Sequence, residues 1–220
     1  MRSPDMPAAA VPFATSLAQA RRLVVRQRRS VLENFTGVEA RGRYAVHTEQ
    51  GVFTAGFAEH GEGAGALLGR WFLKSSRPFT MGLYPAEHPD RPLLILDRPW
   101  RWIFAELEVR EAAGGRVLGR VRQRWGWFRK RLDLEAADGR PLARLTGPLL
   151  RPWTVLVEVG PPSNPREVGR IEKKWSGLLT EAFTDADTFL VTLPQADGTL
   201  RQLVLAAAVL VDFLWFEHRD

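Results

Sequence analysis

Side chains that could make or break bonds are sparse in this chain. It has four histidines (His47, His60, His88 and His218) and no cysteine. No two histidines stand at the spacing a helix uses to hold zinc, and neither His-Glu-x-x-His nor Gly-x-Ser-x-Gly occurs. The lack of cysteine removes thiol nucleophiles, thiolate zinc sites, disulfides and S-acylation. Bond-making catalysis has no residue set to rest on, so the chain is not read as an enzyme. What remains is the chemistry of charge and surface. Arg120, Arg122 and Arg124 fall on one face of an alternating run, and Arg129, Lys130 and Arg131 follow, with Trp125, Trp127 and Phe128 interleaved. Lys173 and Lys174 form a second basic group, and Trp100 and Trp102 a second aromatic one. Each basic residue near an anionic membrane contributes about 1 kcal/mol, screened by salt. Tryptophan prefers the level of the lipid headgroups. The same mixture also suits the phosphates and bases of nucleic acid. It equally describes a solvated strand face offset by Glu106, Glu108, Asp133 and Glu135. Asp185 and Asp187 are two carboxylates that either ligate calcium weakly or close a turn by bonding nearby backbone.

These residues need elements to position them. The chain has 220 residues, enough for one large domain with a core of its own. Its 31 lysines and arginines against 25 acids give a net charge of +6, a balance that favours anionic partners. Residues 1–20 are rich in Ala and Pro and lack a basic start followed by an unbroken apolar core. They are read as a flexible arm with no secretory signal, ahead of a single domain over 21–220. The domain reads mostly in period 2. Val117, Val121 and Trp125 oppose the arginine face. Leu132 and Leu134 share a face with Lys130, opposite Arg131, Asp133 and Glu135. Phe189, Val191 and Leu193 oppose Thr188, Leu190 and Thr192. Strict alternation marks strands with one buried and one wet face. Ala112–Gly115 and Ala137–Arg140 sit between such runs and predict hairpins. The stretches 61–69 and 161–165 read as loops. About a dozen strands at intervals of roughly 10–15 residues point to a sandwich or barrel.

One segment departs from this pattern. Leu203 to Phe216 is apolar except for Asp212, and Ala206, Ala207 and Ala208 favour helix. Thr199 followed by Gln202 has the form of a capping box. A helix over about 200–216 would be roughly 25 Å long at 1.5 Å per residue. Apolar on every side, it must be buried in protein or in lipid. A membrane span needs about 20 apolar residues, and an internal aspartate is costly in hydrocarbon. The expectation is a core helix, with Leu203, Val204, Ala207, Leu210, Val211 and Leu214 packed inside the strands.

Several segments, in order, resemble the phospholipid scramblase family of the tubby carboxy-terminal-like superfamily. They are Ser76-Arg77-Pro78-Phe79-Thr80, Leu96-Asp97-Arg98-Pro99, Leu145-Thr146-Gly147-Pro148, the stretch 169–177, Glu181 to Phe189, and Val211 to Glu217. The resemblance spans about residues 20–218. It implies a twelve-stranded closed β-barrel around a central hydrophobic helix, and phospholipid movement between leaflets. It also implies a calcium loop over Asp185 to Ala196. That loop fits poorly, because its fifth, sixth and twelfth positions are Phe189, Leu190 and Ala196 where calcium would need oxygen ligands and a glycine. Where animal members of that family carry palmitoylated cysteines, this chain has Trp100-Arg101-Trp102-Ile103-Phe104; these aromatics either pack on the barrel and cover one end of it, which is the expectation, or serve as interfacial anchors in place of acylation. The Ala- and Arg-rich usage is compatible with a high-GC bacterium. The expected partner is an anionic phospholipid membrane, approached from the cytoplasmic face with no required cofactor. A tubby-type binder that does not translocate lipid, and a nucleic-acid or protein adaptor, are the alternatives.

Overall fold

A computed structural model describes residues 12–27, 42–60, 78–125, 130–148, 153–174, 188–195 and 198–216. Helix α1 (Phe13–Gln19) precedes strands β1 (Arg22–Gln27), β2 (Gly42–Thr48), β3 (Phe53–His60), β4 (Phe79–Pro85), β5 (Leu94–Arg98) and β6 (Glu106–Glu111). Then come β7 (Val117–Arg124), β8 (Lys130–Ala136), β9 (Pro141–Gly147), β10 (Thr154–Val159), β11 (Arg166–Lys174) and β12 (Thr188–Thr192). Helix α2 (Gly198–Val211) follows and runs on as a π-helical turn, Asp212–Phe216. Each strand pairs antiparallel with its sequence neighbours, and β1 closes on β12. Closure leaves no sheet edge to template aggregation. The expected barrel is present, with twelve strands.

The inward positions follow the alternation. Leu107 and Val109 of β6, Leu132 and Leu134 of β8, Val155 and Val157 of β10, and Phe189 and Val191 of β12 are all buried. They close on α2, where Leu203 through Val211 is buried without a break. Burying each Leu or Val side chain contributes about 1.5–3 kcal/mol. The stretch Gly198–Trp215 has a mean hydropathy of 1.5, apolar enough to cross a membrane by composition, and most of it lies inside the barrel. The helix therefore finds its apolar surroundings in protein. Leu203, Val204, Ala207, Leu210 and Val211 sit in the core as expected, and Leu214 is half-buried. The helix begins at Gly198, so Thr199 lies within its first turn instead of capping it from outside. Gly119 of β7 makes room for α2. A Cβ there would lie 2.2 Å from the Glu135 carbonyl oxygen and 2.9 Å from Leu203 Cδ1.

Because the strands alternate in direction, their connections alternate between two rims. The lower rim carries the tight connections 49–52, 86–93, 112–116, 137–140 and 160–165. Gly114, Gly115 and Gly139 take positive φ in the two expected hairpins. The upper rim receives the ends of β1, β3, β5, β7, β9 and β11. Helix α2 enters at the lower rim and finishes at the upper one, where Phe213 stacks on Phe79 at the start of β4 with ring centroids 4.7 Å apart.

The expectation of a flexible arm over 1–20 is corrected for its second half. Residues 13–19 form α1, and its i,i+4 pair Phe13 and Leu17 is buried against the lower end of the core. The backbone N–H of Phe13 donates to Glu87 Oε1 at 2.7 Å. Arg201, buried near the start of α2, donates from Nε and Nη2 to the Leu17 carbonyl at 2.8 and 2.6 Å, and from Nη1 to the Pro194 carbonyl at 2.6 Å. A further bond runs from Nη2 to the Ala20 carbonyl. Burial holds the Arg201 pKa below the ordinary arginine range. Carbonyls at the end of a helix are orphaned within it, and here a buried guanidinium satisfies them.

Candidate functional site

The arginine face of β7 lies on the outside of the barrel, between β6 and β8. The register sets Arg122 opposite Glu106 and Arg120 opposite Glu108 on one side, and Arg120 opposite Glu135 and Arg122 opposite Asp133 on the other. Ion pairs follow from this. Arg120 Nη2 lies 2.9 Å from Glu108 Oε2, Arg122 Nη1 3.0 Å from Glu135 Oε2, and Arg124 Nη2 2.6 Å from Glu135 Oε1. Arg131 Nε lies 2.9 Å from Asp133 Oδ1. In the pairs made by Glu135 and Asp133 the carboxylates sit deeper than the cations. The Glu135 side chain is 10% exposed and that of Arg124 is 43%. Such half-exposed pairs each contribute only about 0–1 kcal/mol. Their main effect is to fix the guanidinium groups and offset most of their charge. The structure thus brings Arg120, Arg122, Arg124 and Arg131 together as a balanced lattice.

The upper rim beside this lattice is different. Trp102 is 82% exposed, Ile103 74% and Trp125 66%, with Trp100 and Phe104 less so. The ring centroids of Trp100 and Trp102 are 4.5 Å apart, and those of Phe104 and Trp125 are 6.4 Å apart at right angles. Alternation alone places Trp125 on the inward face with Val121. Strand β7 stops at Arg124, so Trp125 lies past the wall and projects into solvent. The 99–105 connection is held to β7 twice: Ala105 N–H donates to Gln123 Oε1 at 3.0 Å, and Gln123 N–H donates to the Ala105 carbonyl at 2.8 Å. Between them opens a cleft of about 370 Å³, lined by Arg101, Trp102, Phe104, Arg122, Arg124 and Trp125 among others. Sequence reasoning did not single out Arg101, Gln123 or the cleft. The consecutive apolar run after Arg101 was the available signal.

Other basic groups gather at the same rim. Lys130 Nζ stands 5.3 Å from the centre of the Trp215 ring, and Lys173 Nζ 5.8 Å from that of Trp153. Lys174 ends β11. Arg129, Asp185 and Asp187 lie outside the described residues, as does the stretch 61–69. Even so, the strand that follows bears on calcium. Thr188–Thr192 pairs with both β1 and β11, and Phe189 is in the core. Residues 188–192 of the loop implied by the resemblance are thus barrel wall. Among the described residues no group of three or more His, Asp or Glu could hold a metal.

The family model for scramblases matches residues 1–218. The chain belongs to the scramblase family. It is 28% identical over 229 residues to phospholipid scramblase 1 of Mus musculus, an alignment covering 99% of this chain and 68% of the mouse protein. It is 26% identical over 213 residues to phospholipid scramblase family member 5 of Homo sapiens, covering 92% of this chain and 76% of the human one. A more distant relative is altered inheritance rate of mitochondria protein 25 of Saccharomyces cerevisiae, 20% identical over 245 residues, covering 95% and 74%. No solved structure matches the chain. In this scramblase-family barrel the helix that could span a bilayer is enclosed by strands, and the exposed apolar side chains named above sit at the upper rim.

Proposed function

We propose that this protein is a phospholipid scramblase that works from the surface of an anionic membrane, on its cytoplasmic face, with its upper rim against the headgroups. The exposed cluster of Trp100, Trp102, Ile103, Phe104 and Trp125 carries this reading. Tryptophans at such a rim favour the headgroup level, and Lys130, Lys173 and Lys174 add attraction to anionic lipid. Family membership supports phospholipid as the substrate. With α2 filling the barrel, lipid does not pass through the lumen. Translocation on this reading comes from the rim loosening lipid packing beneath it. Calcium has no required part, because Asp185 and Asp187 supply too few of the six to eight oxygens that calcium takes.

The test is a leaflet-exchange assay: anionic vesicles with a fluorescent phospholipid in both leaflets, bleached from outside by dithionite. The protein is expected to speed loss of the inner-leaflet signal, equally with calcium or a chelator. The triple variant Trp102→Ser, Ile103→Ser, Trp125→Ser is expected to slow it several-fold. A rate equal to that of protein-free vesicles would contradict translocation. If attachment persisted at that rate, a tubby-type lipid binder would remain.

A further inference from the structure

We propose that the cleft between the 99–105 connection and the end of β7 holds one anionic phosphodiester headgroup, of the phosphatidylglycerol type. Attachment would then be saturable and selective, in addition to any diffuse attraction. The inference rests on the membrane reading above and assigns that reading a specific lipid site.

Oriented donors are the first argument. Three guanidinium groups line the cleft, from Arg101, Arg122 and Arg124. Their charge is largely offset by Glu106, Asp133 and Glu135, so what the cleft offers an anion is chiefly oriented N–H donors. A guanidinium has five N–H donors. The ion pairs of Arg101 and Arg124 use one and two of these: Arg101 Nη2 donates to Glu106 Oε2, and Arg124 donates to Asp133 and Glu135. Donors are left over for the paired oxygens of a phosphodiester, the geometry at which arginine excels. The carboxylates behind the arginines also orient them, so the cations are positioned before a ligand arrives.

Shape and depth are the second. Gln123 bonds both the N–H and the carbonyl of Ala105, so the wall of the cleft is fixed to the barrel. A volume of about 370 Å³ lies within the range of small-ligand pockets. Its other walls are the rings of Trp102, Phe104 and Trp125, apolar surfaces for a glycerol backbone and the first methylenes. If Trp102 and Ile103 settle at the inner edge of the headgroup layer, their chain neighbour Arg101 comes to the level of the phosphates. The hydroxyls of a glycerol headgroup can hydrogen-bond the polar groups of the cleft, Glu106 and Gln123, which the trimethylammonium of choline, with no N–H or O–H, cannot, so phosphatidylcholine is disfavoured.

The experiment titrates the full-length protein with dihexanoyl phosphatidylglycerol below its micelle concentration, followed by tryptophan fluorescence and calorimetry. Parallel arms use dihexanoyl phosphatidylcholine and inorganic phosphate. Saturable one-to-one binding of the glycerol lipid is expected, at least ten-fold weaker for phosphatidylcholine and for the variant Arg101→Gln. Little binding of inorganic phosphate is expected. Trp125→Ala, at an exposed position, is the second variant if Arg101→Gln does not fold, and the same loss is expected. Absence of saturation, equal binding of the two lipids, unchanged affinity in the folded variant, or equal binding of inorganic phosphate would each overturn the assignment. Flotation of the wild type on anionic vesicles separates the two claims. A protein that floats without binding monomeric lipid has no such site, whereas one that binds monomeric lipid without floating has the site but not the proposed attachment.

Discussion

Arg201 shows what a single side chain does in this fold. It sits near the start of an otherwise apolar helix and ties that helix to three backbone carbonyls, those of Leu17, Ala20 and Pro194. Replacing it with methionine keeps the bulk and strands those carbonyls. Each buried polar group left unsatisfied costs about 1–3 kcal/mol, so with three carbonyls stranded Arg201→Met is expected to lower the unfolding free energy by about 3 kcal/mol or more. Urea unfolding followed by circular dichroism checks this, and a change under 0.5 kcal/mol would refute it. Tyr84 gives a pH dependence. Its hydroxyl is pushed above the ordinary tyrosine value by burial, so the neutral form is favoured in the folded state. The associated stability is fully present below pH about 10, the unfolded value, and is lost as pH rises further. Between pH 9 and 11 the wild type is expected to lose stability more steeply than Tyr84→Phe in the same urea assay. Not all residue-scale detail was legible in the sequence. The alternate arginines of β7 were visible, and so were the acids around them. Which acid meets which arginine depends on the register of three strands, and pattern alone leaves that open.

At the scale of elements, α2 and the strands were the most legible parts. A run from Leu203 to Val211 with no polar residue has to be enclosed, and period-2 strands enclose it. Helix α1 was hidden because the Ala- and Pro-rich composition around it outweighed one i,i+4 pair, Phe13 and Leu17. Trp125 was misplaced because alternation does not say where a strand stops. The polar groups that pin α2 at its two ends were also not foreseen. At the upper end the Tyr44 hydroxyl donates to Asp212 Oδ2 at 2.6 Å, as Arg201 does to carbonyls at the lower end. A helix fixed at both ends is a strut of the barrel. Its seat depends on Gly119, and the atom a new Cβ would meet is backbone, which yields little. Overpacking of this kind costs about 1–3 kcal/mol or more. Gly119→Val is expected to lower the urea midpoint by at least that equivalent. A variant as stable as the wild type would mean that neither the Glu135 backbone of β8 nor Leu203 of α2 approaches Gly119 this closely.

The whole molecule has two unlike ends. The lower rim is closed by tight turns and plugged by α1. The upper rim carries the exposed aromatics, Lys130 and Lys173, and the end of α2. The sequence disclosed the aromatics and the cations as separate groups; only barrel closure gathers them on one rim. Net charge, at +6, sets the long-range attraction, and salt screens it with a Debye length of about 8 Å at 0.15 M. Attachment to anionic vesicles is expected to fall by at least an order of magnitude between 0.05 and 0.5 M salt; a flat profile would point to insertion of apolar segments. The most direct measurement of the central claim is flotation of detergent-free protein with neutral and anionic liposomes, for the wild type and for Trp102→Ser, Ile103→Ser, Trp125→Ser. The account predicts that the wild type floats only with anionic liposomes and is released by high salt, and that the folded variant stays at the bottom. Wild-type protein that remains on neutral liposomes through a high-salt wash, or a variant that floats as the wild type does, would contradict attachment through the upper rim with α2 held in the barrel.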